Sequence, residues 1–370
     1  MDLTLTAEQQ LLEDSARRFL EERWQPSRVR ELESSSHGHD PQLWAQVAAL
    51  GWPGLVLPEE HGGAGRGMLE LAVVAEQLGR AAASCPLLAS TTLVALPLSW
   101  AGTGQAHAWL AALAGGRAVG ALAHLEPGGG GDEWRRPAMS LERGGGGWRL
   151  SGAKELVAYA AVADVLLVSA ALDIETRALV ALERGRPGVG VRRQHALGGD
   201  PLYRVDLDVA VGGDDVVTAD AAEQLLSRAL DHAAVAGCAY AAGLARRALE
   251  LSVRHAQERR QFGRPIGAFQ AVAHRCADME ADVEAMRLLA LQAAWALDHV
   301  GAPALEVGAA KAYTNEALRR VFGHAHQIHG ALGFSMEHDL QLFTRRAKAV
   351  ELSWGSVDRH RERVAQAMGL

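Results

Sequence analysis

The chain has little cysteine and no long apolar run, and each shortage excludes a class of protein. Its three cysteines, Cys85, Cys238 and Cys276, show no CxxC spacing. Neither a disulfide framework nor a cysteine-rich metal site is therefore indicated, and we expect free thiols in a reducing cytoplasm. No apolar stretch reaches about 18 residues, so no transmembrane helix is expected. The N-terminus lacks the basic and apolar segments of a signal peptide.

Positive charge is also scarce. The net charge of −7 and the isoelectric point near 6.1 argue against a nucleic-acid-binding surface. Nearly all basic residues are arginines, since the only lysines are Lys154, Lys311 and Lys348. The apolar fraction of 49% and the charged fraction of 22% are typical of a globular protein. A chain of 370 residues is long enough for two or three domains.

The N-terminal part of the sequence has a helical pattern. Thr6 and Gln9 have the spacing of a capping box, in which each side chain accepts a hydrogen bond from the other residue's backbone N–H. A proline directly after Asp40 predicts a second helix start, because proline is tolerated at the first helical position. A third helix, which includes Glu70, should end at Gly79.

The pattern changes to β structure over residues 118–218 and then returns to helix. Residues 204–209 alternate strictly between polar and apolar side chains, as a half-buried antiparallel strand does. Short apolar runs separated by glycines predict a small barrel or sandwich. Asp220 and Glu223 again have capping-box spacing, and the alanine-rich stretch after them predicts closely packed helices.

Two segments in the C-terminal half are the most specific. Residues 259–270 read RRQFGRPIGAFQ, and residues 326–334 read HQIHGALGF, followed by Trp-Gly-Ser at 354–356. Arginine offers a fixed fork of donors that suits a pyrophosphate, and glycine lets a backbone approach a ligand closely. The alternative, a solvated basic face, does not account for the whole string.

Together these segments resemble the flavin-binding signatures of the acyl-CoA dehydrogenase superfamily, and the likeness covers nearly the whole chain. The resemblance implies FAD as cofactor and an acyl-CoA thioester as substrate. It implies an α+β fold with an N-terminal helical domain (1–117), a central antiparallel β-barrel (118–218) and a C-terminal four-helix bundle (219–370). It also implies an oligomer, because residues 259–270 bind the FAD of a neighbouring subunit in this family.

The resemblance assigns cofactor contacts to nine positions. They are Leu125, Val157, Arg259, Gln261, Phe262, Gln270, Gln327, Gly330 and Ala331. Several positions depart from the family pattern. Leu125 and Gly131 lack the hydroxyls of the family's Thr-Glu-Pro and Gly-Ser-Asp elements, and Leu156 and Ala158 replace the tryptophan and threonine of Lys-x-Trp-Ile-Thr. Contacts from these segments to the flavin are therefore expected to come from the backbone.

The most consequential departure concerns the catalytic base. In the best-known branch of the family, a glutamate directly before the Gly-Thr or Gly-Ser pair removes the α-proton, but that position here is Trp354. An indole N–H can only donate, so Trp354 cannot accept a proton. Other members carry the glutamate on the first long C-terminal helix, near Ala233 in this chain. Its titratable neighbours Asp231 and His232 point elsewhere on a helix, so no catalytic residue is assigned.

Residues 333–347 resemble one branch of the family in particular. That branch includes base-lacking subunits of heteromeric acyl-CoA dehydrogenases that act on steroid side-chain CoA esters. An α2β2 complex with a homologous catalytic subunit is therefore expected beside a homodimer or tetramer. Glu337 and His338 form a possible acid–base pair by type, but the resemblance gives them a structural or subunit-contact role.

Three functions stay open from the sequence. The first is α,β-dehydrogenation of an acyl-CoA, with a relocated base or a base-supplying partner. The second is a non-catalytic subunit or scaffold in which Trp354 fills the acyl pocket. The third is a flavin monooxygenase on the same fold. No metal is expected, because His324, His326 and His329 do not share one helix face.

Overall fold

The computed structural model describes residues 3–128, 139–144, 147–173, 176–218 and 221–370. Gly131 and Asp220, which the sequence patterns singled out, lie outside these ranges. The predicted order of a helical, a β and a second helical region is confirmed.

Helices dominate the first part of the chain. They are α1 (Ala7–Arg23), α2 (Pro26–Ser34), α3 (Pro41–Ala49), α4 (Met68–Arg80), α5 (Leu87–Ser90), α6 (Leu96–Ala101) and α7 (Gly104–Ala114), with a π-helical turn over Thr91–Ala95. The predicted capping box is confirmed: Thr6 Oγ1 accepts from Gln9 N–H at 3.3 Å, and Gln9 Oε1 accepts from Thr6 N–H at 2.9 Å. Asp40 caps α3 as predicted.

Gly79 does not end α4, contrary to the prediction. The helix continues to Arg80, and Gly79 lies where α4 crosses the long helix α8 (Ala222–Glu258). A Cβ atom at Gly79 would lie 1.9 Å from the carbonyl oxygen of Tyr240. Gly243 has the reciprocal position, since its Cβ would lie 1.9 Å from the carbonyl oxygen of Glu76. Glycine is needed here for backbone contact between helices, which the local sequence pattern does not reveal.

The β region consists of two four-stranded sheets. Its strands are β1 (Gly120–Ala123), β2 (Leu141–Gly144), β3 (Gly147–Ala158), β4 (Val165–Ala171), β5 (Arg177–Glu183), β6 (Val189–Gln194), β7 (Leu202–Val211) and β8 (Val216–Thr218). The strand orders are β1-β4-β5-β8 and β2-β3-β7-β6. β1 and β4 pair in parallel, and the other pairs in the two sheets are antiparallel. The described strands thus form two facing sheets, with the strand predicted at residues 204–209 inside β7.

The first sheet is buried on both faces. Val165 and Leu167 of β4 belong to the helical core, whereas Leu166 and Val168 pack with the second sheet. Side chains alternate along a strand, so one strand can join two cores. Because of this two-sided packing, the β region lies directly against the helices.

The C-terminal region is helical, as predicted. A short hairpin of β9 (Arg260–Gln261) and β10 (Arg264–Pro265) follows α8, and then come α9 (Gln270–His299), α10 (Ala304–His329), α11 (Asp339–Leu352) and α12 (Val357–Ala367). The three long helices α8, α9 and α10 pack against one another, and α12 packs on α10.

The cysteines are free, as predicted, with Cys238 buried and Cys85 and Cys276 half-buried. Within the described ranges, no helix combines the length and the apolarity that crossing a membrane requires.

Candidate functional site

Two cavities meet at Trp354, between the β region and the C-terminal helices. The larger has a volume of about 380 Å³ and the smaller of about 270 Å³. Both are lined by Leu156 and Ala158 of β3 and by Leu352 at the end of α11. We call this pair the Trp354 cavities. Their lining is mostly apolar, as expected of a small-molecule site.

Trp354 is held in place from several sides. It has a left-handed backbone conformation (φ +58), which is unfavourable for a residue other than glycine by about 1–2 kcal/mol. Its ring packs against α8 at Gly237, where a Cβ atom would lie 2.4 Å from Trp354 Cζ3. Its carbonyl oxygen accepts a hydrogen bond of 2.8 Å from His360 Nε2. Burial lowers the pKa of His360 to about 4, so this histidine is neutral near pH 7.

The helix position that carries the base in other family members offers no substitute. Ala233 is buried, and Asp231 is engaged in a bidentate ion pair with Arg363 at 2.7 and 2.9 Å. His232 donates to the carbonyl oxygen of Arg228 and packs on the Trp100 ring at 4.9 Å. None of the three lines a Trp354 cavity.

Carboxyl groups are rare in the lining of the Trp354 cavities. Of the described residues that line them, only Glu155 and Asp200 carry one. Glu155 forms an ion pair with Arg204 at 2.9 Å. Asp200 accepts from Arg346 at 3.3 Å, and burial raises its pKa against the opposing effect of the Arg346 charge. Neither carboxylate is an unpaired base beside Trp354.

The smaller cavity contains one of the two β-region residues predicted to contact the cofactor. Leu125 lines it, together with His124 and Leu156, whose side chain is half exposed. Val157 does not, because its side chain points into the core between the sheets. Burial lowers the pKa of His124 to about 4, so the histidine is uncharged near pH 7. An apolar wall with an uncharged histidine and a paired carboxylate fits a flat, largely apolar ring such as a flavin.

The predicted nucleotide-binding residues of the 259–270 segment lie elsewhere, on the protein surface. Arg259 follows α8, and the hairpin after it turns at Phe262 and Gly263, both with positive φ (+53 and +78). The Phe262 side chain is 91% exposed. Gln261 and Gln270 are exposed as well. A phenyl ring this exposed is available for contact with another molecule.

The second predicted segment lies beside this hairpin. His329 at the end of α10 stacks on His255 near the end of α8, with ring centroids 4.7 Å apart. Arg275 of α9 also contacts His324 of α10 at 2.9 Å. The three long helices therefore bring residues 259–270 and 327–331 to the same end of the bundle, and we call these residues the hairpin surface.

Gln327, Gly330 and Ala331 are exposed at the hairpin surface, as are the neighbouring apolar side chains of Leu332, Phe334 and Met336. Within the described part of the chain, no residue of the hairpin surface lines a Trp354 cavity. The nine predicted contacts therefore lie in three places: Leu125 in a cavity, Val157 in the β core beside it, and the other seven residues on the outside.

Glu337 and His338 do not form a catalytic pair in the cavities. His338 Nδ1 accepts a hydrogen bond of 3.1 Å from Leu340 N–H and so caps α11. Its ring lies 5.0 Å from His329, and Glu337 is exposed. The described residues contain no group of three or more side chains arranged to hold a metal ion.

The polar wall of the larger cavity was not predicted from the sequence. This wall includes Ser84, Tyr159, Asp200 and Arg346. One signal was present in the sequence, because Arg346 occupies the same helix face as the buried Phe343 and Val350. A charged residue on the apolar face of a helix predicts a buried partner.

Comparison with known proteins identifies the family. Two family models match the chain: "Acyl-CoA dehydrogenase, N-terminal domain" over residues 6–117 and "Acyl-CoA dehydrogenase, C-terminal domain" over residues 224–369. The acyl-CoA dehydrogenase FadE27 of Mycobacterium tuberculosis is 31% identical, with 100% of this chain and 99% of that protein covered.

Two solved structures have the same fold. One is the ChsE4-ChsE5 complex from Mycobacterium tuberculosis, with 28% identity, a TM-score of 0.90, and 100% of this chain and 99% of that chain covered. The other is a glutaryl-coenzyme A dehydrogenase in complex with glutaryl-CoA, with 28% identity, a TM-score of 0.93 and coverage of 100% and 97%. The sequence and the fold thus agree, and the chain belongs to the acyl-CoA dehydrogenase family of FAD-dependent oxidoreductases.

Proposed function

We propose that this chain is a FAD-binding subunit of an enzyme that dehydrogenates an acyl-CoA thioester between Cα and Cβ. We further propose that a homologous partner subunit supplies the catalytic base. The proposal rests on one observation: the apolar cavities are kept, but Trp354 stands at the base position and no lining carboxylate is unpaired. The division into domains 1–117, 118–218 and 219–370 is part of the proposal.

The reaction requires two acceptors. The α-proton leaves to a base, and the β-hydrogen leaves as hydride, which FAD accepts when it is bound. The chain can shape the second half of this chemistry, because Leu125, Leu156 and Ala158 line the smaller cavity and offer apolar surface to a flat ring. It lacks a base for the first half, the removal of the α-proton, since the indole N–H of Trp354 can only donate a hydrogen bond.

The hairpin surface supports a role toward a neighbouring subunit. Arg259 can pair with a pyrophosphate, and the exposed ring of Phe262 can pack on a flavin or an adenine. These residues lie outside the chain's own cavities, so they can complete the FAD site of another subunit. The ChsE4-ChsE5 structure is a complex of two different chains, which supports an α2β2 assembly over a homodimer or tetramer.

The larger cavity bears on the alternative of a scaffold without substrate. Trp354 lines this cavity without filling it, and a space of about 380 Å³ persists beside the ring. That space favours a bound acyl group over a pocket closed by the tryptophan.

Co-expression with a homologous subunit that carries the family glutamate tests the proposal. We expect acyl-CoA to bleach the flavin of the complex quickly and that of the isolated chain slowly or not at all. Equal bleaching by the isolated chain would contradict a partner-supplied base. A colourless complex that no acyl-CoA bleaches would support the non-catalytic scaffold. Rapid reoxidation of the flavin by oxygen with an aromatic substrate would support a monooxygenase.

A further inference from the structure

The larger Trp354 cavity has a polar wall inside an otherwise mostly apolar lining. Ser84 and Tyr159 contribute hydroxyl groups to it, and Asp200 and Arg346 contribute charged groups. Buried polar groups normally have hydrogen-bond partners, so the partners of this wall can be counted one by one.

The two hydroxyl groups carry two hydrogens but form only one hydrogen bond among the described residues. Ser84 Oγ and Tyr159 Oη share a single hydrogen bond of 2.8 Å. One hydroxyl hydrogen therefore has no acceptor within the part of the chain that the structure describes. Tyr159 is only 6% exposed and has a left-handed backbone (φ +60), which is fixed by a hydrogen bond from its N–H to the carbonyl oxygen of Pro201 at 2.8 Å. The hydroxyl is thus positioned firmly, at a cost in backbone strain.

The charged pair also has spare donor capacity. Arg346 is 2% exposed and donates to Glu33 at 2.8 Å and to Asp200 at 3.3 Å. Its buried Nε–H has no acceptor among the described residues. The Asp200 side chain is 36% accessible and hydrogen-bonds only to Arg346 among those residues. Desolvation by the surrounding residues still raises the pKa of Asp200, so its carboxyl group retains a proton to a higher pH than a fully exposed one.

The charges of the wall are nearly balanced. Arg345 pairs with Glu33 at 2.7 Å, so two guanidinium groups face two carboxyl groups. An additional carboxylate would meet Glu33 and Asp200, whereas a neutral acceptor would not be repelled. A ketone or other carbonyl oxygen supplies lone pairs without adding charge.

We propose that this wall is a subsite for a neutral acceptor oxygen on the acyl group, at a carbon remote from the thioester. The chain then takes oxygen-bearing acyl-CoAs in preference to plain fatty acyl-CoAs. An unsatisfied buried donor costs about 1–3 kcal/mol, and an acceptor oxygen removes that cost while an alkyl chain leaves it. The inference rests on the proposed function, because it assumes that the acyl group occupies the larger cavity.

Binding measurements on the FAD-loaded protein, with its partner subunit if one is required, test this subsite. The probes are octanoyl-CoA and a series of its mono-oxo derivatives, in which the ketone is moved along the chain. We expect one ketone position to bind about 10-fold more tightly than octanoyl-CoA, which corresponds to one recovered hydrogen bond. Tyr159→Phe and Ser84→Ala should each remove most of that preference.

Tyr203→Phe is the matched control. Tyr203 lines neither Trp354 cavity, and its hydroxyl donates to the carbonyl oxygen of His37 at 3.2 Å. Its loss should leave the preference unchanged. Equal affinity for all probes, or an equal loss of preference in Tyr203→Phe, would overturn the subsite alone. If no acyl-CoA binds, the proposed function fails and the subsite fails with it.

Discussion

The Trp354 cavities and the hairpin surface keep very different amounts of the family pattern. In the cavities, the base position is Trp354 and the hydroxyl-bearing position of β3 is Ala158. At the hairpin surface, Arg259, Phe262 and Gln270 keep the residue types of the family signature. A chain that had lost all flavin chemistry would have no reason to keep one half and change the other. The difference supports the proposal that the retained half serves a neighbouring subunit.

Packing explains why the two regions can change independently. The Trp354 ring needs the bare backbone of Gly237, so the base position and α8 must change together. Phe262 is exposed, and its ring contact among the described residues is an edge contact with Phe269 at 6.0 Å. Packing within this chain therefore constrains Phe262 less than it constrains Trp354.

Trp354→Glu should have the largest effect, and it changes only the region of the Trp354 cavities. A carboxylate at this position restores a proton acceptor, and general base catalysis contributes about 10²- to 10⁴-fold. We expect the rate of flavin reduction by acyl-CoA in the isolated, FAD-loaded chain to rise by that order. Stopped-flow absorbance of the flavin measures it directly.

Trp354→Gln separates the carboxylate from the space that the smaller side chain opens. Glutamine has nearly the same shape as glutamate but accepts no proton at neutral pH. It should leave the rate near that of the original chain. Equal rates for the two variants would show that room in the cavity, and not a base, limits the reaction.

Removing the contacts of the hairpin surface should give the next largest effect, and only on cofactor retention. Charge-assisted hydrogen bonds are worth about 1.5–3 kcal/mol, so Arg259→Ala should weaken FAD binding in the assembled oligomer about 10- to 100-fold. Phe262→Ala should act in the same direction through lost ring packing. Flavin fluorescence during dilution measures the release.

Arg254→Ala provides the control for the hairpin surface. Arg254 is also exposed near the end of α8, but it lies outside residues 259–270. It should leave FAD retention unchanged. If Arg254→Ala and Arg259→Ala weakened FAD binding equally, the effect would come from general positive charge, and the contrast between the two regions would lose its basis.

Gly237→Ala should have an intermediate effect, on stability. The added Cβ would lie 2.4 Å from Trp354 Cζ3, so the ring must move. Overpacking of this kind costs about 1–3 kcal/mol of unfolding free energy. In a Trp354→Ala background the same substitution should cost much less, since the obstructing ring is gone. Chemical denaturation of the four proteins gives the coupling energy, and additive effects would contradict direct contact.

Local patterns in the sequence were sufficient to predict the helices and strands, but not the places where these elements pack against one another. The capping residues Thr6 and Asp40 act within one turn of chain, so their roles could be predicted. Gly79 was misjudged because its partner, the backbone of Tyr240, lies far away in sequence. The same reason hid the wall of the larger cavity, where Asp200 and Arg346 meet from the β region and α11.

The candidate site could be proposed most specifically where it rests on a contiguous motif. Residues 259–270 form such a motif, and the structure puts its predicted contacts together at one end of the bundle. The cavity contacts were harder, because a strand offers alternate residues to opposite faces. Val157 was predicted as a contact through its backbone; its side chain lies in the β core, while its neighbours Leu156 and Ala158 line the cavities. The face that each side chain takes depends on the pairing of β3 with β7, whose register shifts between Lys154 and Val157.

The smallest predicted effect is a pH dependence of stability that comes from the support beneath Trp354. Burial lowers the pKa of His360 to about 4 from the ordinary value of 6.5. The stability that neutral His360 provides is therefore complete above pH 6.5 and is lost as the pH falls toward 4. The slope is at most about 1.4 kcal/mol of unfolding free energy per pH unit.

His360→Gln keeps a donor for the Trp354 carbonyl oxygen but does not titrate, so the stability of this variant should fall less between neutral pH and pH about 5. Other buried histidines contribute equally to both proteins and cancel in the difference. Parallel pH profiles from chemical denaturation would mean that His360 is not held neutral beneath Trp354.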